Sequence, residues 1–491
     1  MDDKASRSMS DSWLVRWGVL LLISLSMAVN YYFYDALSPL KEVLTVHLGF
    51  DSSDYGFFVS VYSIPNVLLA MAVVGGIILD RIGIRITGSL FISSMVLGSF
   101  LTWYGASDTF NAGGPAYALL GSFWTDYSPA LKMMCVGYFL FGLGAETTCV
   151  VISKVVVKWF KGRELALALG INISVARLGT AAALIISPRL LEPVWTRPIF
   201  LGFVLLAIGL VAFLFYCLID KAYDRRARTI RAGGEEEPEE QFRIRDVLRL
   251  LRNPSFIFVA ALCVTFYSAV FPFIKYAPDL LVNKFGLDEE TSGFITSILP
   301  FGTLVFTPVF GWVCDYKGKS ASLMVLGSVL LIAVHLLLSL TTISPYVPMF
   351  ILGVAFSLVP AAMWPSVAKI VDESRLGSAY GLMFSIQNIG LWIFPMLIGV
   401  VLDAANPGVA AMKTAVGMMA EEGGYLGFAA GPLGDLAVYD YTWPVLMLAA
   451  LGALGLLFAF LLRRADKTSG YGLEQPNRAA PSADEPGAAA V

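Results

Sequence analysis

The feature that most constrains this chain is the recurrence, along almost all of its 491 residues, of apolar runs about 20 residues long or more. A helix of that length, rising 1.5 Å per residue, crosses a hydrocarbon core about 30 Å thick. Within that core every backbone N–H and C=O must be satisfied inside the segment, so each run reads as a transmembrane helix. Only 14% of the residues are charged against 57% apolar, where a soluble chain carries about 25% charged. This excludes a soluble enzyme and a secreted disulfide scaffold. A net charge of −3 gives no basic footprint for nucleic acid. The expected fold class is an all-α polytopic membrane protein.

Reading between charged and Pro/Gly breaks places helices at 17–38, 57–79, 87–105, 132–157, 164–190 and 198–219, then at 254–281, 291–313, 321–341, 346–371, 377–403 and 442–463. These are twelve spans in two sets of six. The expected organisation is an N-terminal tail (1–16), a first half (17–220), a linker (221–253), a second half (254–463) and a disordered tail (464–491). The linker runs from basic (Lys221 to Arg231) to acidic (Glu235, Glu236, Glu237, Glu239, Glu240). Its last part sets Phe242, Val247, Leu250 and Leu251 among arginines, the pattern of a short helix on the membrane surface. The loops 106–131 and 404–441 are long, and Val409–Ala420 within the second is too short to span and carries Lys413. With the N-terminus inside, about 24 Lys/Arg fall on the inner side and about 5 on the outer side. Both termini are therefore expected in the cytoplasm. The first run is too long for a signal-peptide core. The five cysteines show no metal-ligand spacing and read as core residues.

Two pairs of segments repeat between the sets. Gly76, Asp80 and Gly83 in GGIILDRIGIR return as Gly311, Asp315 and Gly318 in FGWVCDYKGKS, with Arg85 and Lys319 following. GINISVARLG and GLMFSIQNIG, in the fifth runs, share Gly-x-x-x-Ser-x-x-x-x-Gly. Two matches in one order indicate duplication. A carboxylate at a cytoplasmic helix end can accept from a neighbouring helix N-terminus and pair with nearby cations. Asp80, Arg81, Arg85, Asp315 and Lys319 are thus gating candidates, the alternative being plain helix-end charges.

This signature and the paired six-helix sets resemble the major facilitator superfamily across the whole chain. The resemblance implies a transporter whose halves rock about a midplane site. Further segments are similar to the lysosomal dipeptide uniporter family within it: NYYFYDALSPL, FGLGAETT with KWFKGREL, GINISVARLG, FYSAVFPFI, and AAMWPSVA with LGSAYGLMFSIQNIG. That similarity implies that Glu146 holds a substrate ammonium, Arg177 a carboxylate, and that Trp364 lines the site. Tyr34, Tyr267, Gln387 and Asn388 lie in the same segments and join the substrate-binding candidates. The chain departs from the family in lacking an acidic dileucine sorting signal near its N-terminus, in its long outer loops, and in Lys154 and Lys275. What is implied is a monomer in a plasma (inner) membrane that meets lipid and a small-molecule substrate. No cofactor, metal, nucleic acid or accessory glycoprotein is expected.

The charges support a site independently. A charge at the bilayer centre costs roughly 2.5–3.5 kcal/mol on insertion scales, so it should face a cavity and have a partner. Glu146 and Arg177 fall near the midplane on adjacent, oppositely running helices. Either they neutralise each other as a structural salt bridge, or they are held apart to receive a zwitterion, with the Arg fork on its carboxylate. Asp35 and Lys275 occupy equivalent outer positions and are expected to pair when the outer side closes. Asp35 contacting the substrate amine is the alternative. Lys154 and Lys158 are expected to face Asp372 and Glu373 across the inner gate, unless each snorkels to the interface. Asn30, Tyr31, Asn66 and Asn172 are further cavity candidates.

Three functions remain open: a dipeptide or zwitterion uniporter, a proton-coupled carrier of peptides, amino acids or organic anions with Glu146 as the coupling group, and a transport-fold receptor without flux. An enzyme is not expected, since no His/Asp/Glu cluster, P-loop or cofactor fingerprint is present.

Overall fold

The computed structural model describes residues 12–160, 164–230, 249–372, 375–423 and 437–477. In order, the helices are α1 (Trp13–Ala36), α2 (Lys41–Leu48), α3 (Ser52–Ser60), α4 (Ile64–Leu68), α5 (Met71–Ala106), α6 (Asp108–Asn111), α7 (Tyr117–Gly121), α8 (Pro129–Phe160), α9 (Leu165–Arg189) and α10 (Arg197–Ile230). The second half continues with α11 (Pro254–Phe285), α12 (Glu289–Tyr316), α13 (Ser320–Leu340), α14 (Tyr346–Ile370), α15 (Leu376–Ala405), α16 (Val409–Gly423) and α17 (Thr442–Ser469). Below, the proximal face carries the ends near residues 16, 83, 160, 220, 318, 372 and 466. The distal face is the opposite one.

Among the described residues, eleven helices are long and apolar enough to span a membrane. The twelfth expected span, the second, is built from pieces: α3, a 3₁₀ turn at Val61–Ser63, α4, and the start of α5. Two local causes break it. Pro65 sits in the first turn of α4 without an N–H to donate. Ala70 then takes a left-handed backbone at φ 47°, and its carbonyl opens the next helix by accepting from Val73 N and Val74 N at 2.7 and 3.0 Å.

The repeated glycines have separate physical duties. Gly83 at φ 81° and Gly318 at φ 71° reverse the chain between the second and third spans of each half, in backbone conformations that a Cβ disfavours. Gly179 lies against the Ala28 carbonyl on α1, and Gly390 against Ser268 on α11. The fifth helix of each half therefore closes directly onto the first. Elsewhere Asp288 caps α12 by accepting from Thr291 N at 2.8 Å, bonds that hold its carboxyl below the ordinary range.

Among the described residues, the two most extensive crossings between the halves are α3 on α15 and α9 on α12. They involve spans two and eleven, and five and eight, which the repeat interchanges. α11 is buried along most of its length and sits at the centre of its half.

Several expectations change. The tail is not free from residue 464: α17 runs to Ser469, and residues 470–477 strap across the proximal face. There Lys369 Nζ donates to Gln475 O at 2.8 Å, Ser320 N to Leu473 O at 3.0 Å and Asn477 Nδ2 to Asp315 at 3.1 Å, with Leu473 fully buried. The expected surface helix falls largely at 242–248, outside the described residues. Val409–Ala420 is helical but packs on α2 instead of spanning.

The two glycines of the α9 repeat should respond oppositely to substitution. Gly179→Leu must displace α1 and should destabilise the protein by about 1–3 kcal/mol. Gly170, with open space around it, should accept Ala with a gain of up to about 1 kcal/mol. Thermal unfolding of the purified protein in detergent measures both.

Candidate functional site

Helices from both halves converge on a cavity of about 100 Å³, several times the ~10–15 Å³ that one water requires. The first half supplies Asn30, Tyr31, Tyr34, Tyr62, Glu146 and Cys149, and the second Phe271, Phe384, Gln387 and Leu391. The walls are chemically unequal. The first half presents hydroxyls, an amide and a carboxylate, while the second presents two rings, an alkyl group and one amide. Glu146 is the sole carboxylate among the described lining residues, and Tyr62 donates to its Oε1 at 3.2 Å.

Arg177 stands behind this lining. Its guanidinium lies 5.6 Å from the Tyr31 ring centre and 5.5 Å from that of Phe356, so it bridges the halves by cation–π contacts. Among the described residues no ion pair joins it to Glu146. Trp364 donates from Nε1 to the Tyr267 hydroxyl at 3.0 Å and stacks on Phe384, while Tyr267 stacks on Phe271. Gln387 reaches the cavity and accepts from the Cys263 thiol at 3.7 Å. Asn388 instead donates to Phe384 O of its own helix at 3.0 Å. Asn172 is taken up by Ser24 at 3.1 Å, and Asn66 is buried in the broken span, so neither opens on the cavity.

Sequence reasoning missed Tyr62, Cys149, Phe271, Phe384 and Leu391. Phe271 and Phe384 lie four and three residues from Tyr267 and Gln387, one helical turn away, a spacing that points to a shared face. Cys149 is three residues after Glu146, so its reading as an inert core residue gives way to a thiol in the cavity wall.

The distal side is closed. Among the described residues, four ion pairs join the halves, and all lie there: Lys41–Asp279 at 2.9 Å, Lys275–Asp35 at 2.9 Å, Lys413–Glu42 at 2.6 Å and Arg189–Glu290 at 3.2 Å. Lys41 Nζ also lies 4.0 Å from the Tyr439 ring centre, and Tyr441 donates its hydroxyl to Asp279. Asp403 accepts from Ser52 N, Ser53 N and Ser53 Oγ at the start of α3, at 3.0, 2.7 and 2.6 Å. This places a second-half carboxylate at the positive end of a first-half helix.

On the proximal side, the expected pairing of Lys154 and Lys158 with Asp372 does not form among the described residues. Lys154 bonds Asp80 at 2.7 Å, on its own half, and Asp372 pairs with Arg375 at 3.1 Å. Lys158 and Arg85 converge on Asp220 and Asp224 of α10, at 2.7–3.0 Å. The reason is reach: α5 packs on both α8 and α10, which brings these cations to carboxylates of their own half. Glu373 lies outside the described residues. Arg81 and Lys319 are exposed.

The description Major Facilitator Superfamily matches residues 23–395, and the chain belongs to that family. The lysosomal dipeptide transporter MFSD1 of Bos taurus is 30% identical over 393 residues, 78% of this chain and 79% of its own. The hexuronate transporter of Bacillus subtilis is 26% identical over 444 residues, 87% and 95% of the two chains. The nucleoside transporter NupG superposes with a TM-score of 0.66 at 13% identity, covering 91% of this chain and 99% of its own, which is a likeness of fold.

The buried Lys41–Asp279 pair gives a direct test of the distal closure. Lys41→Met leaves Asp279 without its nearest cation and should cost about 3–5 kcal/mol. Lys41→Met with Asp279→Leu should recover a large part of that, read as the midpoint of thermal unfolding.

Proposed function

We propose that this member of the major facilitator superfamily is an alternating-access carrier of small zwitterions, dipeptides foremost, working as a uniporter. The observation that carries this reading is Glu146 in the cavity wall with no cation paired to it among the described residues. A carboxylate so placed favours an ammonium and repels an anion, which weighs against a hexuronate-type substrate. Arg177, half-buried behind Tyr31, is within a side-chain movement of the same space and supplies the fork for the opposite terminus. The rings of Phe271 and Phe384 offer apolar surface to a substrate side chain. The similarity to the lysosomal dipeptide transporter MFSD1 of several vertebrates points the same way.

With the distal side closed, the cavity is smaller than a dipeptide with side chains. Rocking of the halves would enlarge it from the proximal side. Asp35, Lys275, Lys41, Asp279, Lys413 and Glu42 are the distal gate in this proposal, and Asp80, Lys154, Arg85 and Asp315 brace the proximal ends. The termini lie on the cytoplasmic side of a plasma membrane.

Glu146→Gln and Arg177→Ala should each lower dipeptide uptake into proteoliposomes by at least about 100-fold, as the loss of a buried charge-assisted contact implies, while thermal unfolding stays near wild type. Wild-type uptake in either variant overturns the site. Accumulation of dipeptide only under an imposed proton gradient would replace uniport by proton coupling.

A further inference from the structure

We propose that Tyr34 and Tyr62 are positioning residues that link the distal gate to the Glu146 carboxylate in the cavity wall, so that Glu146 is oriented only while Lys275 is docked. Lys275 Nζ lies 3.5 Å from the Tyr34 ring centre. It also donates to Tyr34 O and, at 2.9 Å, to Asp35. The Tyr34 ring meets the Tyr62 ring edge-on with centres 4.6 Å apart, and the Tyr62 hydroxyl holds Glu146. Four side chains thus run unbroken from a second-half cation to the first-half carboxylate, and the middle two line the cavity.

The rest of the neighbourhood fixes the gate end of this chain. Thr180, one turn beyond Arg177 on α9, donates to the other oxygen of Asp35 at 2.8 Å. Tyr138 donates to Tyr34 O at 3.2 Å, and Tyr55 to Lys275 O at 2.8 Å. What remains free to respond is the Tyr34 ring. With Lys275 on it, a cation–π contact in a water-poor setting is strong and pins the ring. When the distal side opens, Lys275 leaves with α11 and the Tyr34 ring loses that contact; Tyr62 keeps Tyr138 and Phe141 of its own half beside it but loses its nearest ring as a fixed neighbour. Coupling of this kind is reciprocal: whatever the gate does to the carboxylate, a ligand on the carboxylate does to the gate.

The proposal rests on reading Glu146 as the ammonium site, but its test does not. In the full-length chain with Cys149 as the single cysteine (Cys135, Cys217, Cys263 and Cys314 changed to Ala), a small membrane-impermeant cationic methanethiosulfonate is applied from the distal side without substrate. The rate of Cys149 labelling reports distal opening. Lys275→Met and Tyr62→Phe should each speed labelling. Their combination should fall short of the product of the two effects by at least about threefold, as directly coupled residues do. The shortfall should persist with Tyr34→Phe, which keeps the ring, and vanish with Tyr34→Leu. Multiplicative effects throughout, or a shortfall that survives Tyr34→Leu, overturn the proposal. If Lys275→Met does not yield folded protein, Asp35→Asn takes its place in the cycle. Absence of dipeptide uptake by the wild type would remove the proposed cargo and leave this cycle standing.

Discussion

The structure depends on how ionised side chains are accommodated where water is scarce. A lone charge in the bilayer interior is costly, and the cost falls only through pairing, hydrogen bonds or a cavity. On the distal side this chain uses pairing: Lys41 and Asp279, buried and 2.9 Å apart, and Lys275 with Asp35 at the same distance. At mid-depth it uses a cavity and a tyrosine hydroxyl for Glu146, and ring faces for Arg177. Among the described residues, the ion pairs between the halves thus lie on the distal side, and Glu146 at the centre has no cation paired to it. That distribution suits a protein whose centre must exchange partners while its rim opens and closes.

Much of the fold was legible in the sequence because lipid leaves few choices. Length and apolarity located the helices, and the duplicated glycine–aspartate motif located the reversals at Gly83 and Gly318. The broken second span was not legible. Its apolar run is continuous through Leu68 and Leu69; Pro65 is visible within it, but the left-handed turn at Ala70 that completes the interruption is not. Similarly, Val409–Ala420 reads in the sequence as too short to span and as carrying Lys413, and its place becomes clear only from its packing on α2 and the Lys413–Glu42 pair.

The site was legible where charge marked it and obscure where it did not. Glu146 and Arg177 stand out in an apolar sequence because nothing else justifies them there. Tyr62 carries no such mark: among 20 tyrosines its importance comes from one hydrogen bond across to another helix. Asn388 was named for lying in the same family-like segment as Gln387, yet adjacent residues on a helix point about 100° apart, and its amide turns to the Phe384 carbonyl of its own helix. The pairing of Lys154 with Asp80 rather than Asp372 is likewise a matter of which helices pack together, and an order of residues does not state that.

The strap formed by residues 470–477 gives the two halves different kinds of bracing. The first half ties its proximal ends with exposed and half-exposed side-chain charges, Lys154 with Asp80 and Lys158 and Arg85 with α10. The second is stitched largely by main-chain atoms of its own extension, under which Leu473 is sealed. Dissolved ions weaken the former kind of tie and scarcely touch the latter. The molecule is thus a pair of unlike rockers, one whose stiffness follows the ionic composition of the surrounding fluid and one whose stiffness is set by its own backbone.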